Sequence, residues 1–142
     1  MTQFPTRPFF IRNVSSGLVF DVAGRSTEPN SGIILWDKKG SDYENQLWSY
    51  ENGVLINERS KLVLEILGYD ENAGKIKPES PLLQVERKWP QKRSQMWSYV
   101  DRHLYTYDPS MAISGKYGHG SQITMNRLNF SDRLQEWEFV FP

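Results

Sequence analysis

Three times along this 142-residue chain a Gln stands two residues before a Trp: Gln46-Leu47-Trp48, Gln95-Met96-Trp97 and Gln135-Glu136-Trp137. Each pair closes a segment of roughly forty to fifty residues, so an internal threefold repeat is the first architecture to consider. The surrounding text agrees, because NQLWSYENGVLI is echoed by SQMWSYVDRHLY, and the third Trp begins the closing run WEFVFP. Trp brings a large apolar side chain and one indole donor. A Gln two positions earlier on a strand shares its face, where the amide can satisfy buried backbone groups. Three such pairs predict a common core.

The opposite ends of the segments match as well. FFIRNVSSGLVFDV from Phe9 aligns with GVLINERSKLVLEI from Gly53 and, more loosely, with HLYTYDPSMAISG from His103. Each reads as a hairpin: a short β-rich run ending at Arg12, Asn57 or Tyr107, a break at Ser, Asn, Lys or Pro, then renewed apolar alternation. No window of similar length carries a helical stripe. The expectation is one all-β domain over 1–142 with repeats at about 9–52, 53–102 and 103–142. A content of 38% hydrophobic and 13% aromatic residues permits a sizeable core, and no low-complexity linker divides it.

Several function classes lose support at once. A formal net charge of zero and a pI near 6.7 remove the broad attraction on which sequence-independent nucleic-acid or acidic-membrane binding depends. With no cysteine there is no disulfide, zinc thiolate or thiol nucleophile. MTQFPTRPFFIRN lacks a signal-peptide core of roughly seven or more apolar residues, and no apolar run is long enough to insert in a membrane. A cytoplasmic location is expected, with leaderless secretion left open. His103 and His119 lie in no nucleophile or metal motif, and no Gly-Lys-Ser phosphate loop occurs, so neither metal nor cofactor is implied. The sequons at Asn13 and Asn129 read as chance patterns.

Three Gln-x-Trp repeats, each opened by a hairpin, resemble the ricin B-chain type (R-type) lectin domain, a β-trefoil carbohydrate-binding module, over about residues 9 to 141. The resemblance implies pseudo-threefold symmetry and about twelve strands, six in a short barrel and six in hairpins capping one end. It also implies a sugar site in each repeat, built from an acid after the second strand, an aromatic ring about fifteen residues later, and an Asn-Gln pair before the last Trp. The first repeat has the set in Asp21, Trp36, Asn45 and Gln46. Asp21 can accept bonds from two neighbouring sugar hydroxyls, Trp36 can lie under the apolar face of a pyranose, and Asn45 offers both a donor and an acceptor. Gln46 can position Asn45 from the structural side, Lys39 adds a rim donor, and Gly24 ends the bend that starts at Asp21. Ile34 stands where the family often has another polar contact.

In the second repeat Glu65 takes the acidic place, but Val85 holds the aromatic position and Ser94 replaces Asn; Trp89, in ERKWPQKR, is the candidate for a displaced ring in a weak second site. That loop also holds Arg87, Lys88, Lys92 and Arg93, a solvated tip or an anion contact. The third repeat has Ser114, Met125 and Leu134 at the three places and is expected to have lost sugar binding, its Tyr117 and His119 lying in a Gly-rich turn. The expected partners are glycans ending in galactose or N-acetylgalactosamine, bound without catalysis, a preference that comes from the resemblance alone. One intact site per chain makes self-association, as a homodimer, the expected route to avidity. A protein-interaction trefoil is the competing class, and a buried Trp36 would favour it. Acids near the site, such as Asp37, Asp42 and Glu44, leave a hydrolytic carboxylate pair open on sequence grounds.

Overall fold

The computed structural model describes residues 4–142, in which short β-rich runs form strands separated by tight turns and brief 3-10 turns. The first repeat contributes β1 (Phe10–Asn13), β2 (Val19–Val22), β3 (Ser31–Trp36) and β4 (Trp48–Glu51). The second contributes β5 (Val54–Asn57), β6 (Val63–Ile66), β9 (Ser80–Val85) and β10 (Ser98–Val100). A small hairpin, β7 (Tyr69–Asp70) with β8 (Lys75–Ile76), is inserted between β6 and β9 and accounts for the longer second repeat. The third consists of β11 (His103–Tyr105), β12 (Met111–Ser114), β13 (Thr124–Arg127) and β14 (Trp137–Val140). The β-trefoil plan of four strands per repeat is therefore present, with one added hairpin.

The turn between the first two strands of each repeat is made by one acidic or amide side chain. Asn13 Oδ1 accepts the amides of Ser15 and Ser16, Asn57 does the same for Arg59 and Ser60, and Asp108 for Ser110. Such a side chain stands in for a backbone turn. It reverses the chain so that both strands can turn an apolar face inward.

Three antiparallel ribbons, β14–β1, β4–β5 and β10–β11, form the barrel wall. Bonds at threefold-related positions stitch them into a ring: Trp48 N to Phe9 O at 2.9 Å, Trp97 N to Gly53 O at 2.8 Å, and Trp137 N to Arg102 O at 2.8 Å. The hairpins β2–β3, β6–β9 and β12–β13 close one end, joined by β3–β9, β9–β13 and the bridge Ile34–Gln122. Closure removes free strand edges, a hazard for any antiparallel sheet. At the other end Tyr50, Tyr99 and Phe139, each two residues past a repeat Trp, surround Phe4, whose ring stacks on Tyr50 at 4.1 Å.

The three repeat tryptophans are buried in one core with Phe20, Leu64 and Ile113. Trp97 donates its indole N–H to Leu64 O and Trp137 to Ile113 O, both at 3.0 Å. Trp48 breaks the symmetry, since its indole nitrogen has no partner among the described residues and the ring meets Phe20 edge-on at 6.2 Å.

The glutamines do not share a strand face with the tryptophans, as the two-residue spacing suggests; each ends a 3-10 turn just before the last strand. From there each amide holds the preceding loop by two backbone groups. Gln46 accepts from Lys39 N and donates to Asp37 O, Gln95 accepts from Lys88 N and donates to Glu86 O, and Gln135 accepts from Asn129 N and donates to Arg127 O, all at 2.8–3.1 Å. In each loop a buried amide supplies hydrogen bonds of the kind that a strand ladder provides elsewhere.

Candidate functional site

The first-repeat hairpin positions the site. In the β2–β3 register Asp21 faces Ile34 and Val19 faces Trp36, which puts the acid near the turn and the indole at the strand end. Gly24, at φ +64, turns the chain after β2, and Asn45 comes in on the 3-10 turn before β4. Asp21, Gly24, Arg25, Ile34, Trp36, Lys39 and Asn45 then line one cleft of about 390 Å³. That is toward the small end of the range of roughly 300–1,000 Å³ that ligand sites occupy.

All the first-repeat residues singled out in the sequence thus meet, with Gln46 behind them. Gln46 Nε2 donates to Asp21 Oδ2 at 2.9 Å while bonding Asp37 O, so the amide that clamps the loop also orients the acid. Lys39 Nζ donates to Asn45 Oδ1 at 2.7 Å, and Asn45 Nδ2 reaches Val22 O at 3.3 Å. Asp21 is 6% exposed. Burial pushes its carboxyl above the ordinary aspartate range, opposed by the Gln46 bond, the Lys39 charge and the Asn45 amide. A carboxylate offers about four acceptor directions, so these donors leave capacity for ligand hydroxyls. Trp36 is 39% exposed, an open aromatic wall beside a buried, oriented acid.

Two residues of this site were not singled out for it from sequence. Arg25 follows Gly24 in the turn, and its exposed side chain joins the rim. His119 comes from the third repeat: its ring lies 4.2 Å from that of Trp36, tilted by 33°, and its Nε2 is 3.1 Å from Asp37 Oδ2. The Gly-rich turn that carries it is thus not a pocket of its own. No local pattern announces the contact, although Gly118 and Gly120, both at positive φ, do mark the tight turn.

The other repeats assemble differently. In the second, Gln95 Nε2 and Ser94 Oγ both approach Glu65 Oε1, at 3.0 and 3.4 Å. Val85 is buried where the first repeat has Trp36, and the adjoining cleft is about 160 Å³. The structure does not bring Trp89 to Glu65: its ring is 69% exposed, carries the Arg87 guanidinium at 4.8 Å, and is no part of that cleft. Arg87 itself pairs with Glu51 at 2.8 Å. In the third repeat the register corrects the sequence alignment. Ala112, the counterpart of Val19, faces Asn126, so Asn126 and not Met125 occupies the aromatic place. Met125 faces Ile113 and is fully buried in the core. A cleft of about 330 Å³ there is lined by Ser114, Lys116, Asn126, Asn129 and Asp132 among others, with no aromatic wall.

A six-stranded barrel capped by three hairpins, with Gln-x-Trp closing each repeat, is a β-trefoil, the fold implied by the resemblance to R-type lectin domains. Comparison with known proteins agrees at the level of fold. The chain resembles mucoricin of Rhizopus delemar, with 48% identity over 54 residues; the match takes in 38% of this chain and 37% of mucoricin, so it spans well under half of that relative. Among solved structures the mdaA-1 domain superposes with a TM-score of 0.84 at 25% identity, covering 100% of this chain and 94% of that one. The designed threefold-symmetric protein ThreeFoil gives 0.78 at 19% identity, over 95% and 99% of the two chains. The C-half of the earthworm R-type lectin, solved in complex with GalNAc, gives 0.73 at 20% identity, over 94% and 97%. No family model matches the chain.

Proposed function

We propose that this chain is a carbohydrate-binding lectin that holds a terminal galactose-type sugar, without catalysis, in the first-repeat cleft. The observation that carries the reading is the meeting of exposed Trp36 with buried Asp21 and Asn45 in one open cleft. The indole takes the apolar C–H face of the pyranose and removes it from water. Asp21, oriented by Gln46, accepts from two neighbouring hydroxyls through charge-assisted bonds, and Asn45 and Lys39 supply donors. Ile34 adds an apolar surface where a further polar contact would narrow the choice of sugar. The galactose preference leans on the earthworm lectin solved with GalNAc.

Binding rather than hydrolysis is favoured because Asp21 is the one carboxylate lining this cleft among the described residues, whereas glycoside cleavage generally uses a pair. Asp37, the nearest candidate in sequence, is turned to His119. A shallow site with one stacked ring is weak; a Kd near 1 mM corresponds to about 4 kcal/mol. Self-association into a homodimer would raise this by presenting two sites to one glycoconjugate. The test is a glycan-array screen of the labelled chain beside an Asp21→Ala, Trp36→Ala variant. Binding to galactose-terminated glycans that the variant loses supports the reading. A blank array at high protein concentration favours a trefoil that binds protein instead.

A further inference from the structure

We propose that His119, carried by the third repeat, is a positioning residue for the first-repeat platform: its imidazole, anchored by Asp37, backs the indole of Trp36 and holds it ready for the sugar. The inference rests on the reading of that cleft as a sugar site. An indole has two faces. His119 packs against Trp36 with ring centroids 4.2 Å apart, while Trp36 also lines the cleft, so one indole meets both the imidazole and the cleft.

The turn that delivers His119 is anchored along β3. Gly120 N donates to Leu35 O at 2.7 Å, Leu35 N donates to Ser121 O at 3.0 Å, and Gln122 bridges Ile34. Gly120, at φ +79, lies beside the indole, where an added Cβ would be in ordinary contact with Trp36 Cζ3 at 3.6 Å. On the near side of the turn, Lys116 and Tyr117 both donate to Glu79 and fix its approach. The third repeat, which lacks the acid, the ring and the Asn of a sugar site, thus contributes the wall against which the first repeat's ring rests.

Immobilising a side chain costs binding free energy, and a ring already held at rest avoids part of that cost. Asp37 Oδ2, 3.1 Å from His119 Nε2, anchors the imidazole, while Lys116 and Tyr117 on the same turn are committed to Glu79.

The test measures lactose affinity by NMR titration at neutral pH for the full chain, His119→Ala and His119→Phe. His119→Ala should bind about fivefold more weakly than the wild type, with a broadened Trp36 indole signal in the free protein. His119→Phe, which keeps a ring against the indole, should recover most of the affinity and the sharp signal. Equal affinity of His119→Ala and the wild type, or no recovery in His119→Phe, overturns the proposal. If neither lactose nor any arrayed glycan binds the wild type, the sugar reading fails separately. The free protein still decides the contact then, because Trp36→Ala must displace the His119 ring resonances, and unchanged resonances overturn it.

Discussion

In the first repeat Gln46 holds Asp21 by one oxygen and leaves it on the wall of a cleft of about 390 Å³; in the second, Gln95 and Ser94 both donate to one oxygen of Glu65 beside a cleft of about 160 Å³. The clamp is the same, with the Gln amide bridging backbone groups of the loop in each repeat. What differs is the ring, since Trp36 is open and Val85 buried. Comparison of the two separates the parts that make a trefoil from those that make a binding site. The glutamine and the repeat tryptophan serve the fold everywhere, while the proposed sugar recognition depends on side chains hung on that frame in the first repeat.

Truncating the frame should have the largest effect. Trp137→Ala and Trp97→Ala are each expected to cost roughly 3–5 kcal/mol, read from urea unfolding, because a buried indole leaves a cavity and an unpaired carbonyl. A cost as small for either as for a surface change would break the division between frame and site. Trp36→Ala is the counterpart on the site side. Lactose binding should be lost while stability changes by less than about 1 kcal/mol, as for other exposed positions. Unfolding of that variant would mean that Trp36 belongs to the frame.

Acidification sharpens the comparison. Burial holds the Asp21 carboxyl above the ordinary aspartate range, and the charged form makes the stronger, charge-assisted bonds to sugar hydroxyls. Affinity should therefore fall as pH drops through that raised value, earlier than for an ordinary aspartate. A lactose titration between pH 7 and pH 4 that stays level would remove Asp21 from the site. For stability the sign is reversed: a raised acid favours the neutral form in the fold, so Asp21 imposes a small penalty at neutral pH that is relieved on acidification.

Smaller still is the asymmetry among the indoles. The Trp48 indole has no bonded partner among the described residues, so Trp48→Phe should cost about 1–2 kcal/mol less than Trp137→Phe, which deprives Ile113 O of its indole donor. Equal unfolding midpoints would show that the indole bonds add nothing. The smallest expected signal is a gain: Glu65→Asp, Val85→Trp and Ser94→Asn together should give the second repeat a weak site, seen as new amide shifts around Gly68 on adding lactose. The double variant that keeps Glu65 should show none.

The frame could be read from the chain because its signal is repeated. Three Gln-x-Trp pairs and three hairpin openings agree with one another, and any one alone would have meant little. The first-repeat site could be read for a related reason, since Asp21, Trp36 and Asn45 hold fixed places relative to that frame. Contacts between repeats could not. His119 meets Trp36 across most of the chain's length, and nothing periodic ties the two. The third-repeat ring position slipped by one residue, from Asn126 to Met125, because its connecting loop is shorter and Gly-rich; on a strand such a slip exchanges the core face for the open one. The two-residue strands of the β7–β8 hairpin are too short to leave an alternation pattern.

The most direct test of a single working site is an amide and indole NMR titration of the full chain with lactose. Shifts confined to Gly24, Arg25, Trp36, Lys39, Asn45 and their neighbours, together with the His119 turn, are expected. Comparable shifts around Glu65 or Ser114 would contradict a site restricted to the first repeat, and the absence of shifts at Trp36 while lactose still binds would contradict the platform itself.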